Sequence, residues 1–130
     1  MGNTVITFGT FDIFHVGHLN ILKRAKKLGT KLIVGISSDE LNMVKKNRKP
    51  IYNIKQRLEI ISSIKYVDEV FVEESLEKKE DYIRFYNADI LVMGDDWRNK
   101  FDNLPCKVLY LPRTPSISTT QIIETIINSE

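Results

Sequence analysis

Five short apolar runs punctuate this chain, and between them apolar residues return at helical intervals. Val5-Ile6-Thr7-Phe8 is a β-branched and aromatic run that stops at Gly9. Leu19, Leu22, Ala25 and Leu28 then recur at three- and four-residue spacing, with Gly29 placed to end the helix at its C′ position. KLIVGIS, residues 31–37, is nearly all apolar, as in a strand covered on both faces. A short helix follows from Asp39, and KKNRKP at 45–50 is a basic loop. Asn53 with Gln56 has the spacing of a capping box and opens a helix over 54–64. Residues 69–72 form a strand, 77–86 a charged amphipathic helix, and ILVM at 90–93 a buried strand broken by Gly94. The last strand is 108–111, and Ser118 with Gln121 opens a final helix over 119–127.

That alternation predicts an α/β fold: a Rossmann-like three-layer α/β/α sandwich around a five-stranded parallel sheet. No repeat, low-complexity tract or linker interrupts it, so residues 1–130 read as one domain. Ligands of such sheets bind beyond the carboxyl ends of the strands, where the strand order switches. The chemistry is therefore expected in GTFDIFH, SSDE, GDDW and PRTPSIS, the segments that follow four of the strands.

Composition narrows the classes. A chain of 130 residues can bury roughly two-thirds of the surface its unfolded form exposes. The net charge of +2 is too weak a bias to argue for nucleic acid or an anionic membrane. The single cysteine, Cys106, rules out an internal disulfide and suits a reducing compartment. No apolar run has membrane-spanning length, and MGNTVITF lacks the plan of a signal peptide, so a cytoplasmic protein is expected.

Both histidines of the chain, His15 and His18, fall in one turn on either side of Gly17. Gly9 allows a sharp turn and close approach of backbone to a ligand, and Gly17 does the same at the opening of the first helix. A helix start presents unpaired N–H groups and partial positive charge, which suits phosphate. Two imidazoles there can donate hydrogen bonds to phosphoryl oxygens, in neutral or protonated form. A transition-metal pair is the weaker reading, since no further histidine or cysteine completes a set. Gly-x₄-Gly-Lys-Ser/Thr and Gly-x-Gly-x-x-Gly are both absent.

Gly9-Thr10-Phe11-Asp12 with His15-x-Gly17-His18 resembles the signature of the HxGH nucleotidyltransferase superfamily. Arg113-Thr114-Pro115-Ser116-Ile117-Ser118-Thr119-Thr120 resembles the RTxGISTT motif of its cytidylyltransferase branch, and Tyr66-Val67-Asp68-Glu69-Val70 and Met93-Gly94-Asp95-Asp96-Trp97 also look like that branch. These motifs cover nearly the whole chain, and within the branch the group using glycerol 3-phosphate is nearest in length.

The resemblance implies transfer of CMP from CTP to a phosphorylated alcohol, sn-glycerol 3-phosphate first among them, with release of pyrophosphate. It implies catalytic roles for His15, His18, Lys45 and Arg113. Gly9, Thr10, Phe11, Gly17, Asp95, Arg113, Thr114, Ile117, Ser118, Thr119 and Thr120 would contact the nucleotide, Asp95 by accepting from the cytosine amino group. Lys45, Arg48, Arg57, Lys65 and Lys79 would serve the acceptor, and of the neighbours Lys45 and Lys46 the former is the first choice for the phosphates. Asp12 either assists a metal through water or orients the turn by hydrogen bonds. Mg²⁺ is implied by the triphosphate, a homodimer by the resemblance, and a role in teichoic acid or capsule precursor synthesis by the product.

Three departures bear on the acceptor and the nucleotide loop: Lys65 stands for an arginine, Leu76 for a tryptophan and Ser116 for a glycine. Lysine lacks the planar fork of arginine. Serine at a position needing positive φ is strained. The rivals are the same transfer onto another polyol phosphate, phosphoethanolamine or phosphocholine, and, outside enzymes, a nucleotide-binding module without turnover.

Overall fold

The computed structural model describes residues 2–129. Five parallel strands, β1 (Thr4–Gly9), β2 (Lys31–Ser37), β3 (Glu69–Glu73), β4 (Ile90–Gly94) and β5 (Lys107–Leu111), lie in the order β3-β2-β1-β4-β5. The chain builds outward from β1 to β3, then returns to place β4 on the other side of β1. The order switches between β1 and β4, so the carboxyl ends of those strands, Gly9 and Gly94, open the crevice where ligands bind in such sheets.

The helices are α1 (Val16–Lys26), α2 (Asp39–Lys46), α3 (Ile54–Ser62), α4 (Lys79–Phe85) and α5 (Thr119–Asn128). Period-two alternation sends successive strand residues to opposite faces. Val5, Leu32, Val34, Ile36 and Val92 pack with Leu22 and Ala25 of α1 and Ile61 of α3. Ile6, Phe8, Ile33, Leu91 and Met93 pack on the other face with Ile83 of α4 and the aromatics Trp97, Phe101 and Tyr110. Both faces are thus covered, which is why 31–37 shows no polar alternation.

Local differences from the sequence reading have physical reasons. Helix α1 ends at Lys26, and Gly29 has no positive φ. A Cβ at Gly29 would lie 2.2 Å from the Asn3 carbonyl oxygen, so the glycine is there for close backbone approach and not for a left-handed cap. The first two residues of the KKNRKP loop continue α2, which ends at Asn47 in the left-handed region, φ +56°. The helix expected over 77–86 begins as a 3₁₀ turn, Leu76–Lys78, capped by Ser75. Ser116 holds φ +64°, the strained conformation anticipated for a serine in place of glycine.

Candidate active site

The turn between β1 and α1 is built by its own histidines. His15 is the N-cap of α1, and its Nδ1 accepts the Gly17 N–H at 3.0 Å. The His15 N–H in turn donates to His18 Nδ1 at 3.2 Å. The pair forms a reciprocal cap of the kind usually made by Ser or Thr with Glu. The rings stack with centroids 3.7 Å apart. A Cβ on Gly17 would sit 2.8 Å from the His15 ring, so only glycine lets that ring lie across the helix start.

This cap fixes the chemistry. Each Nδ1 accepts a backbone N–H, so each neutral ring carries its proton on Nε2. Burial, aided by His15 and Lys46, lowers His18 to a pKa of about 3. Burial and then Arg113 hold His15 below its ordinary value. Near neutral pH the site therefore offers two uncharged Nε2–H donors side by side at the positive end of a helix. Phe11, edge-on at 5.4 Å, and Phe14, at 5.6 Å, enclose the His18 ring.

The His18 shift has a stability consequence. Folded His18 binds a proton less tightly than unfolded histidine, so its contribution is complete above about pH 6.5 and is lost as pH falls toward 3. Between pH 6.5 and 4.5 the loss from this group should be on the order of 2 kcal/mol. Urea midpoints at the two pH values should show it, and a His18→Asn variant should lose less. Equal losses in both proteins would mean that His18 is not held neutral.

The cleft draws on four other segments. The start of α5 contributes Ile117, Ser118, Thr119 and Thr120, and the preceding loop Arg113 and Thr114. Lys46 of α2 and Arg48 line the same space, as do Asp96 and Trp97 from the 3₁₀ turn Asp95–Trp97 after β4. Two helix starts and three cationic side chains thus face one crevice, an arrangement that suits an extended polyphosphate.

The candidate residues separate into those that meet here and those that do not. Gly9, Thr10, Phe11, Gly17, both histidines, Arg48, Arg113, Thr114, Ile117 and Ser118–Thr120 all line the cleft. Several of their polar groups are engaged within the protein. Thr10 donates its hydroxyl to Asn42 at 2.7 Å, Asn20 donates to the Thr114 hydroxyl at 3.0 Å, and Thr119 donates its hydroxyl to the Asp12 carbonyl at 2.8 Å. Ser118 caps α5 by accepting the Gln121 N–H.

Five candidates stand elsewhere. Lys45 is turned away from the lining and Lys46 takes its place; the Lys45 ammonium donates to the Ser37 hydroxyl at 2.9 Å, and burial lowers its pKa to about 8. Asp95 pairs with Arg98 at 2.8 Å, so the cleft carboxylate is that of Asp96. Arg57 is fully buried and spends its guanidinium on the carbonyls of Tyr52, Thr10 and Ser37 and on Asp39. It braces the site from beneath instead of reaching an acceptor. Lys65 precedes β3, at the amino end of the sheet and away from the cleft, with its ammonium 5.2 Å from the Tyr66 ring centroid. Lys79 is buried, paired with Glu73 and set over the Phe8 ring at 4.3 Å; desolvation, opposed by Glu73, lowers its pKa.

Asp12 also lines the cleft, together with Asn42, which the sequence does not single out, and with Lys46 and Asp96, the second choices of their pairs. Helical spacing gives a signal for Asn42, three residues after Asp39 on the same face of α2. Adjacent like residues, Lys45-Lys46 and Asp95-Asp96, carry no such signal.

Residues 6–125 match the model of a family described as cytidylyltransferase-like. The glycerol-3-phosphate cytidylyltransferase of Bacillus subtilis strain 168 is 51% identical over 124 residues, covering 94% of this chain and 95% of that protein. The enzyme of the same name from Staphylococcus aureus strain NCTC 8325 is 46% identical, with 91% and 90% covered. An FAD synthase of Thermococcus sibiricus is 32% identical, with 96% and 93% covered. Among solved structures, a lipopolysaccharide core biosynthesis protein from Thermoplasma volcanium superposes with a TM-score of 0.71 at 27% identity, covering 88% of this chain and 98% of that one.

Proposed function

This chain belongs to the cytidylyltransferase-like family, and from that premise we propose that it transfers CMP from CTP to sn-glycerol 3-phosphate, giving CDP-glycerol and pyrophosphate. The observation that carries the reading is the pair of neutral Nε2–H donors at the start of α1, facing the same crevice as Lys46, Arg48 and Arg113. A phosphate oxygen of the acceptor attacks the α-phosphorus of CTP in line. The bond from that phosphorus to the bridging oxygen breaks, and pyrophosphate leaves with the electron pair. No protein nucleophile is needed, because the attacking oxygen is already anionic. Positioning and charge stabilisation do the work. Donors fixed before the reaction cost no reorganisation as charge grows on the phosphoryl oxygens.

Mg²⁺ fits this site as a passenger of the triphosphate. Among the described residues no group of three or more His, Cys, Asp or Glu is placed to hold a metal, and Asp96 is a carboxylate on the cleft wall. Asp96 with the phosphate oxygens of the nucleotide would hold the ion, and its chemistry there would be neutralisation of pyrophosphate charge. A homodimer, as the resemblance implies, is part of the proposal, and sedimentation or light scattering tests it. No helix among the described residues is long and apolar enough to cross a membrane, and the soluble substrates suit the cytoplasm. CDP-glycerol, an activated glycerol phosphate donor, suits teichoic acid or capsule synthesis.

The test is pyrophosphate release with each of the four common ribonucleoside triphosphates against a panel of phosphorylated alcohols and FMN. CTP with glycerol 3-phosphate should be the best pair. Turnover confined to ATP with FMN, or calorimetric binding of CTP without turnover on any acceptor, would overturn the reading.

A further inference from the structure

Asp12 lines the cleft yet is only 5% exposed, and three backbone N–H groups meet its carboxylate. Oδ2 accepts the Ile51 N–H at 2.6 Å; Oδ1 accepts the N–H groups of Tyr52 at 2.9 Å and Ile13 at 3.1 Å. Ile51 and Tyr52 belong to no helix or strand and follow Arg48, which lines the cleft. The carbonyl of Asp12 accepts the Thr119 hydroxyl from the start of α5. One residue therefore ties together the histidine turn, the loop carrying Arg48, and the second helix start.

The backbone around it is strained. Phe11 and Ile13, on either side of Asp12, hold φ of +53° and +46°. A β-branched residue in that region is a genuine outlier and persists only where its surroundings over-determine it. The Phe11 conformation sets its ring edge-on to His18. Arg57 supports the same turn through the Thr10 carbonyl, and the Asp12 bonds are what hold the strained residues themselves.

We propose that Asp12 is a positioning residue. It clamps the 48–52 loop to the histidine turn and holds that turn strained, so that Arg48 and the two imidazoles face one crevice. Asp12 lines the cleft, but three backbone N–H groups take most of its acceptor positions, so its part is to position the turn and not to bind metal or phosphate. The turnover part of the test rests on the nucleotidyl-transfer reading; the exchange part does not, so the two can fail separately.

Amide exchange comes first. In the wild type the Ile51 and Tyr52 amides should be protected although they lie outside regular structure, and Asp12→Asn should speed their exchange at least about tenfold. In the same variant kcat/KM should fall at least about tenfold, while the Mg²⁺ concentration for half-maximal rate stays within about twofold. Adding Ile13→Gly, which relieves the strain that Asp12 holds, should recover part of the loss. If Asp12→Asn does not fold, Ile51→Pro tests the same bond from the other side. It deletes the N–H of an exposed residue and should lower kcat/KM several-fold, whereas Ile51→Ala, which keeps the N–H, should lose much less. Unprotected amides in the wild type would overturn the proposal. So would a tenfold rise in Mg²⁺ requirement in Asp12→Asn, near-normal kcat/KM in that variant, or equal losses in the two Ile51 variants.

Discussion

Replacing His18 by alanine should lower kcat by at least about a hundredfold, the scale of losing one preorganised donor to a developing oxyanion. Two losses combine at this position. The Nε2–H donor disappears from the cleft, and the His15 N–H loses the Nδ1 that accepted it, so the neighbouring ring loses part of its cap. His15→Ala should cost a similar factor, because it removes the second donor and frees the Gly17 N–H. The effects should not add fully, since the stacked rings act as one unit. Initial rates of pyrophosphate release at saturating CTP and glycerol 3-phosphate read kcat directly. Circular dichroism and a urea midpoint at pH 7.5 separate lost chemistry from lost fold. A folded His18→Ala protein turning over at near-normal rate would remove the imidazole from the mechanism.

Arg57→Ala should destabilise the protein by about 3–5 kcal/mol, the scale of emptying the volume of a large buried side chain and orphaning its hydrogen-bond acceptors. The guanidinium is the hub beneath the cleft, with Nη1 donating to the Thr10 and Ser37 carbonyls at 2.9 and 2.8 Å. Nε donates to the Tyr52 carbonyl at 2.9 Å, and Nη2 pairs with Asp39 at 2.6 Å. Alanine would leave these acceptors without their donor and empty the volume of the largest fully buried side chain. Arg57→Lys should recover only part of the stability, because an ammonium has no planar fork to span acceptors on the turn after β1, the end of β2 and the approach to α3. The urea midpoint measures the cost. If Arg57→Ala and Arg57→Lys both keep wild-type midpoints, and only the KM for glycerol 3-phosphate rises, the guanidinium serves the acceptor and is not a brace.

The behaviour of Arg57 shows where reading by residue type stops. Its place on α3 and its charge were legible in the sequence, but whether it points into a crevice or under it depends on where Thr10 and Ser37 end up, 47 and 20 residues away. Lys45 and Lys46 make the same point within one helix. Neighbouring helical residues face directions about 100° apart, so only the packing of α2 decides which one reaches the cleft. Lys65 stands apart from the cleft of its own chain for a topological reason: a residue ahead of a parallel strand lies at the opposite end of the sheet from one after it.

The sequence alone determined the alternation of strands and helices, the two-sided burial of β2 and the concentration of both histidines at the first turn. Those features follow from local periodicity, capping and glycine placement, which act over a few residues. Tertiary structure alone decided that the two imidazoles are neutral and share one tautomer, that Asp96 and Lys46 take the cleft positions next to Asp95 and Lys45, and that Asp12 faces backbone amides 39 and 40 residues away. Burial, the direction of a hydrogen bond and the side of a helix that faces a pocket depend on what packs against a residue. In a parallel sheet whose strand order switches beside β1, those neighbours come from distant parts of the chain.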